Sequence, residues 1–286
     1  MCLRENDITL LYVYCDGVKS EKDRQSVLEV RRMIHDIDWC EKVVVEREEN
    51  LGLGKSIIAG VSEVLLKHNE VLVFEDDLVC VPGTYEYLCS ALKHYANDPK
   101  VMSVTGWTHT KITPDVVTDQ PYFDGRAECW VWGTWARAWK GMQEDAQSLM
   151  NKCDAKEVDI YRYGADLVEM AKAERQKNIW AVRFLYWHIL NGGLCLRPPY
   201  SMVDHIGFDS GTNCALKEVP WWVHPSLQAC PAIPAEWPEP VENNKCSLLH
   251  QNICGARPVS RKVMSRILSR MRRYMSRCDF RKWRRA

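Results

Sequence analysis

Apolar runs alternate with helical patterns through the first hundred residues. The apolar runs predict strands at residues 8–14, 42–46, 71–74 and 101–104. Between them, apolar residues recur at helical spacing, as in Ile57, Ile58, Val61, Val64 and Leu65. Polar residues precede these helices where caps are expected, namely Ser20, Asn50 and Thr84. The alternation predicts an α/β fold in which a mostly parallel sheet is flanked by helices.

The pattern becomes less regular after residue 107. Residues 159–175 favour a helix, residues 192–199 favour a turn and a short strand, and residues 220–240 are rich in proline and tryptophan. We therefore divide the chain into two halves of one domain and a tail, at residues 1–106, 107–256 and 257–286.

The composition is that of an ordinary soluble protein, with 46% hydrophobic and 27% charged residues. No long uncharged apolar run is present, and the first residues lack the apolar core of a signal peptide, so we expect an intracellular protein. Thirteen scattered cysteines without a C-x-x-C pair favour reduced thiols over a disulfide framework or a zinc site.

A formal net charge of zero conceals a strong asymmetry. The tail, residues 257–286, contains twelve Arg and Lys against one acid, so it carries +11 and the remaining body carries −11. Such a body is unlike a nucleic-acid-binding surface. Apolar residues recur in the tail at steps of three and four, at Met264, Ile267, Leu268, Met271, Met275 and Cys278. This pattern is typical of a basic amphipathic helix on an anionic membrane, although a solvated tail or one docked on the acidic body fits it as well.

Three consecutive predicted strands end in polar residues. Glu75, Asp76 and Asp77 follow the third strand, while Asp16 follows the first and Arg47 the second. Ligands of open α/β sheets bind beyond the carboxyl ends of the strands. Adjacent carboxylates repel one another there, and a divalent cation relieves that repulsion. The alternative is that the acids only cap the following turn.

The same segments resemble a known enzyme family. Residues 11–17 (LYVYCDG), 46–57 (EREENLGLGKSI), 73–78 (VFEDDL), 132–139 (WGTWARAW) and 201–212 (SMVDHIGFDSGT) are similar to family 2 glycosyltransferases of bacterial surface-polysaccharide synthesis. A more distant similarity, through the Glu-Asp-Asp motif, is to the N-acetylglucosaminyltransferase I group. The resemblance covers roughly residues 8–214.

This resemblance implies the GT-A fold, a Rossmann-like sheet, and inverting transfer of a sugar from a nucleotide-sugar donor to a saccharide or lipid-linked glycan. It implies Mn²⁺ or Mg²⁺ as the cofactor. By position, Asp16 would recognise the nucleobase, Arg47 the base or phosphate, and Asp76 the ribose and metal. Asp77 would be the direct metal ligand and His205 a further metal or diphosphate contact.

The resemblance also suggests which residues perform the chemistry. Asp166 would take the proton from the acceptor hydroxyl, with Glu169, one helical turn later, as the alternative. Both acids could instead be solvated helix residues. Trp132 and Trp135, on either side of Gly133, would form a platform for a sugar, whereas core packing is the ordinary role of tryptophan.

The chain departs from the family at its start. Family members begin with a further βα unit of about 30 residues before the strand that ends at Asp16. Either the true start lies upstream of Met1 or the enzyme is truncated. If the chain begins at Met1, the sheet exposes a strand edge and we expect reduced stability. Two other functions stay open: a sugar nucleotidyltransferase, and an inactive nucleotide-sugar-binding protein. The expected location is the cytoplasm, peripherally on the membrane if the tail binds lipid.

Deletion of residues 258–286 tests the membrane role of the tail. The truncated protein should no longer co-sediment with vesicles that contain acidic lipids, because most of the basic residues that attract the protein to them are gone. Unchanged co-sedimentation would show that the tail does not bind the membrane.

Overall fold

The computed structural model describes residues 3–207 and 227–258. The predicted tail helix and the second part of the segment 201–212 lie outside the described residues. No helix within the described part is long and apolar enough to cross a membrane.

Strands and helices alternate as the sequence predicts in the first hundred residues. The strands are β1 (Leu10–Cys15), β2 (Glu41–Glu46), β3 (Glu70–Val73), β4 (Leu78–Cys80), β5 (Val101–Thr105), β6 (Tyr122–Asp124), β7 (Trp132–Trp135), β8 (Leu194–Arg197) and β9 (Val203–His205). The α-helices are α1 (Arg24–His35), α2 (Leu53–Leu65), α3 (Thr84–His94), α4 (Ala146–Ala155), α5 (Asp166–Lys177), α6 (Ala181–Asn191) and α7 (Cys246–Cys254). The α/β class is confirmed.

The described strands form a mixed arrangement, so the prediction of a mostly parallel sheet is wrong. The central sheet has the order β3-β7-β5-β8-β6, and only β5 and β8 are parallel within it. β7 lies between β3 and β5 and is antiparallel to both. The cause lies after residue 107, where β6 and β7 enter the sheet from a segment without a clear strand pattern. β1 and β2 form a separate parallel pair, and β4 and β9 an antiparallel one.

The central sheet is covered on both faces. Val71 and Val73 of β3 pack into a cluster with α2, α4, α5 and α6, while Leu72 packs into a second cluster with α3. This follows from the alternation of side chains along a strand. The predicted apolar face of α2 is confirmed, since Val61 is buried in the first cluster and Ile57, Ile58 and Leu65 pack against it. Val64 is also buried.

The β1–β2 pair is less covered than the central sheet. α1 buries none of its residues, and Leu28, Val30 and Met33 on it are 52%, 51% and 63% exposed. β1 is hydrogen-bonded to β2 alone among the described strands, although α2 contacts both β1 and β3.

The predicted capping residues do not cap the helices that follow them. α2 begins at Leu53 after Gly52, whose φ of 72° suits glycine, and the Asn50 amide donates to the carbonyl of Gly17 instead of capping the helix. Thr84 is the first residue of α3, and its hydroxyl donates to the carbonyl of Val81. Ser20 donates to the Asp23 carboxylate and makes no capping bond to a backbone N–H.

The predicted helix at residues 159–175 is divided in two. Ile160–Tyr163 forms a 3-10 turn, and α5 begins only at Asp166. Gly164 lies between them with a φ of 116°, a conformation that interrupts a helix.

The prediction that Trp132 and Trp135 form a sugar platform is wrong. Their exposed fractions are 0% and 3%, so neither ring can meet a ligand. Trp132 packs against Trp139, Trp180 and Phe184 in the first cluster. Trp135, three residues later on β7, belongs to the second cluster on the opposite face. Both tryptophans are core residues.

Trp132→Ala should therefore lower the free energy of unfolding by about 3–5 kcal/mol, because it leaves a large cavity in a closely packed cluster. Urea denaturation monitored by circular dichroism measures the difference. A loss well under 1 kcal/mol would mean that Trp132 is not a core residue.

Candidate functional site

The acidic turn, Glu75–Asp77, lies at the carboxyl end of β3 and leads directly into β4. β4 pairs with β9, so that Leu78 lies opposite His205. The ladder continues one step beyond the strands, where the N–H of Ile206 donates to the carbonyl of Asp77 over 2.9 Å. This pairing brings together Asp77 and His205, which the sequence proposes for one metal site.

The side chains of these two residues are in contact. Nε2 of His205 lies 3.2 Å from Oδ2 of Asp77. The backbone N–H of Gly207 donates to Nδ1 of His205 over 3.1 Å, so Nδ1 is an acceptor. In the neutral ring the proton is then on Nε2, which donates it to Asp77. His205 is 4% exposed, and its ring centroid lies 5.1 Å from that of Trp130.

Gly207 permits this contact. A Cβ atom at residue 207 would lie 2.6 Å from Cβ of Asp77 and 2.9 Å from its Oδ2. Any larger residue would displace the carboxylate that His205 holds.

Acidic side chains are concentrated at the acidic turn. Burial, reinforced by the carboxylates of Asp77, Asp76 and Glu128, raises the pKa of Glu75 to about 8. Oδ1 of Asp77 is buried and has no hydrogen-bond partner among the described residues. Both features indicate that a positive charge would be stabilised here.

These residues fit a hard divalent cation. No group of three or more His, Cys, Asp or Glu side chains that could hold a metal occurs within residues 3–207 and 227–258. Mg²⁺ does not require one, because it is usually bound by one or two carboxylates together with water and substrate phosphates. Asp77, with the exposed Asp76 beside it, offers that kind of donor set.

A cavity of about 190 Å³ lies near the acidic turn. It is lined by Trp107, Ile112, Arg126, Glu128, Trp130, Arg197, His250 and Cys254. Two lining residues connect it to the turn: Trp130 contacts His205, and Glu128 lies close enough to Glu75 to raise its pKa.

Three of the lining residues lie on one loop, residues 125–131. β6 is at one edge of the sheet and β7 is the second strand from the other edge, so the loop passes the ends of β8 and β5. Its last residue, Val131, has a φ of 43°, which is rare for a β-branched residue and costs free energy. The strain occurs directly after Trp130.

A buried ionic network supports this loop. Nε of Arg197 donates to Oδ2 of Asp124 over 2.8 Å, and His250 contacts the same oxygen over 2.7 Å. Burial disfavours the charge of Asp124, but His250, Arg197 and the N–H of Arg126 overcome it and hold its pKa below the ordinary value. The second terminal nitrogen of Arg197 also donates to the carbonyl of Arg126 over 3.0 Å.

The two proposed proton acceptors differ in position. The two oxygens of Asp166 accept hydrogen bonds of 3.0 and 2.7 Å from Arg126, which lines the cavity. Glu169 is 75% exposed and pairs with Lys172 over 2.8 Å. No described contact connects Glu169 with the cavity.

Asp16 and Arg47 lie at the same end of the β1–β2 pair. The Asp16 carboxylate accepts the backbone N–H groups of Gly17, Leu51 and Gly52, so it joins the loops after the two strands. Arg47 pairs with Glu63 of α2 over 3.2 Å. Neither residue has a described contact with the acidic turn.

The sequence did not single out Trp107, Arg126, Glu128 or Trp130 as functional residues. The cluster of tryptophans after residue 107 was a signal, but periodicity could not separate Trp107 and Trp130 at the cavity from Trp132 and Trp135 in the core.

Comparison with known proteins does not assign the chain to a family. No protein-family model matches the chain, and no curated protein matches it.

The raised pKa of Glu75 predicts a pH dependence of stability. Folding raises this pKa from 4.5 to about 8, so the folded protein binds the proton more tightly than the unfolded chain does. Below pH 4.5 the protonation of Glu75 makes its full contribution to the free energy of unfolding. This contribution is lost as the pH rises to about 8, by at most about 1.4 kcal/mol per pH unit. Urea titrations between these limits should show this contribution, and Glu75→Gln should remove it. An identical pH dependence in both proteins would contradict the burial of Glu75.

Proposed function

We propose that this chain is a metal-dependent inverting glycosyltransferase that transfers a sugar from a nucleotide-sugar donor to a saccharide or lipid-linked glycan. The observation that carries the proposal is the unpartnered Oδ1 of Asp77 in an acidic turn at the end of β3, beside a cavity lined by tryptophan and charged residues. A cation at Asp77 and a diphosphate on that cation account for both features.

Asp77 and Asp76 would hold Mn²⁺ or Mg²⁺. When bound, the cation offsets the charge that develops on the departing diphosphate. His205 acts through Asp77, because its Nε2 faces Oδ2 and leaves Oδ1 for the metal. We therefore assign His205 as the residue that positions Asp77, in place of a direct metal ligand.

The nucleotide end of the donor would bind at the ends of β1 and β2, near Asp16 and Arg47. Asp16 accepts the backbone N–H groups of Leu51 and Gly52 and so fixes the loop 50–52, beside which a base would bind. The Arg47 guanidinium lies 5.4 Å from the ring centroid of Tyr14, and this contact helps to keep it in place.

Asp166 would take the proton from the acceptor hydroxyl. Arg126, which lines the cavity, fixes the Asp166 carboxylate, and a proton acceptor needs such a defined orientation. Proton transfer requires the acceptor hydroxyl to lie directly against this carboxylate. The basic tail would keep the enzyme on the cytoplasmic face of the membrane, where lipid-linked acceptors are found.

Asp77→Asn tests the proposal, with Asp36→Asn in the exposed turn after α1 as the matched control. Transfer from a panel of nucleotide sugars in the presence of Mn²⁺ should fall roughly 10²- to 10³-fold or more in Asp77→Asn, because the metal loses its main ligand. Asp36→Asn should keep full activity. Melting temperatures of both variants establish that they fold.

Two results would contradict the proposal. Full transfer activity in Asp77→Asn would show that the acidic turn takes no part in the reaction. Release of pyrophosphate from a nucleoside triphosphate and a sugar phosphate, without transfer from any nucleotide sugar, would identify a nucleotidyltransferase instead.

A further inference from the structure

The cavity beside Trp130 contains arginines whose charge is already balanced. Arg126 forms two hydrogen bonds with the carboxylate of Asp166, of 3.0 and 2.7 Å. Arg197, 1% exposed, pairs with Asp124, which is 0% exposed and also contacts His250. Neither arginine offers uncompensated positive charge to a ligand.

Glu128 adds a negative charge to this balanced set. Its side chain is 22% exposed and lies 3.7 Å from Arg197, a longer separation than the 2.8 Å between Arg197 and Asp124. One of its oxygens accepts the N–H of Cys129 over 2.9 Å. Two arginines and the imidazole of His250 thus face three carboxylates around the cavity, and Glu128 lies close enough to the acidic turn to raise the pKa of Glu75.

Trp107 supplies an independent indication that a ligand binds here. It is 4% exposed and lines the cavity, yet its indole N–H has no hydrogen-bond partner among the described residues. Buried donors are almost always paired. The indole N–H groups of Trp132 and Trp135 are also unpartnered among the described residues but lie in the core, whereas Trp107 lines the cavity, where a ligand oxygen would be its partner. The rings of Trp107 and Trp130 meet at 75° with their centroids 5.0 Å apart, and they form an apolar wall.

We propose that this cavity binds one uncharged sugar ring, and that Glu128 excludes sugars that carry a carboxylate. The aromatic wall packs against the C–H groups of the ring, Trp107 donates to a ring or hydroxyl oxygen, and Glu128 accepts from a hydroxyl. A uronic acid would place its carboxylate against Glu128 without a free cation to compensate it. The assignment of the ring to the donor or the acceptor of a transferase rests on the proposed function. The selectivity for neutral sugars is independent of that function.

The test compares ligands that differ only at C6. Methyl glycosides of glucose, galactose and mannose are titrated against the full chain beside the matching uronides, with saturation-transfer NMR and tryptophan fluorescence. At least one neutral glycoside should bind, and its uronide should bind at least roughly tenfold more weakly because of like-charge repulsion. Equal binding of a glycoside and its uronide, or no binding of any neutral glycoside, would overturn the proposal.

Two variants assign the effect to residues. Glu128→Gln keeps the shape and one acceptor oxygen but removes the charge, so the difference between glycoside and uronide should shrink to roughly threefold or less. Trp107→Phe removes the indole N–H together with the five-membered ring and should weaken neutral glycosides by about 3- to 10-fold. Unchanged selectivity in Glu128→Gln, or unchanged affinity in Trp107→Phe, would contradict the assigned roles.

Matched controls separate binding from folding. Glu29→Gln removes an exposed carboxylate on α1, and Trp132→Phe removes another unpartnered indole N–H outside the cavity. Both should bind glycosides as the unmodified chain does; a loss equal to that of the cavity variants would show that the effect is not local. Nucleoside-diphosphate hexoses with Mn²⁺ then identify the source of the ring. Competition with the glycoside indicates the donor, and simultaneous binding indicates the acceptor.

The two proposals fail in different ways. Loss of transfer in Asp77→Asn with intact glycoside binding supports both. If the protein binds neutral glycosides selectively but has no transfer activity, the proposal of a neutral-sugar cavity is supported and the proposal of a transferase is contradicted.

Discussion

The site depends on the accumulation of carboxylates at the end of β3. Glu75, Asp77 and Glu128 come from two separate segments, and burial, reinforced by the neighbouring carboxylates, raises the pKa of Glu75 to about 8. One oxygen of Asp77 is held by His205 and the other is left without a partner. At a pH where Glu75 is ionised, such an arrangement weakens the folded protein, and the proposed cation would offset this repulsion.

The rest of the architecture holds this arrangement in place. The β4–β9 pair brings His205 against Asp77, and Gly207 leaves the space that the contact needs. The loop 125–131 brings Glu128 and Trp130 to the same region, supported by the buried pair of Asp124 and Arg197. Breaking that pair by removing one partner would leave an uncompensated buried charge, which is strongly destabilising. The stability of the loop and the geometry of the cavity are therefore coupled.

Sequence patterns were informative where a segment has its own periodicity. β1, β2, β3 and β5 were predicted to within two residues because each is an apolar run between polar turns, and the face of α2 follows from helical spacing. β4 and β9 have three residues each, too few for a pattern, and their pairing is between distant parts of the chain. The short motif Trp132-Gly-Thr-Trp135 resembled a ligand platform but forms the antiparallel strand β7, whose burial depends on the strands on both sides. Asp77 and His205 were proposed as one site from resemblance, whereas the cavity residues became visible only when the loop 125–131 was placed in the fold.

The central claim is that a divalent cation binds at Asp77, and paramagnetic broadening by Mn²⁺ tests it most directly. Mn²⁺ is added with a nucleoside diphosphate to protein whose tryptophan indoles are labelled with ¹⁵N. The signal of Trp130 should broaden at the lowest Mn²⁺ concentration, since its ring contacts the histidine that holds Asp77, and Asp77→Asn should restore it. Broadening confined to other indoles, or identical broadening in Asp77→Asn, would contradict the account.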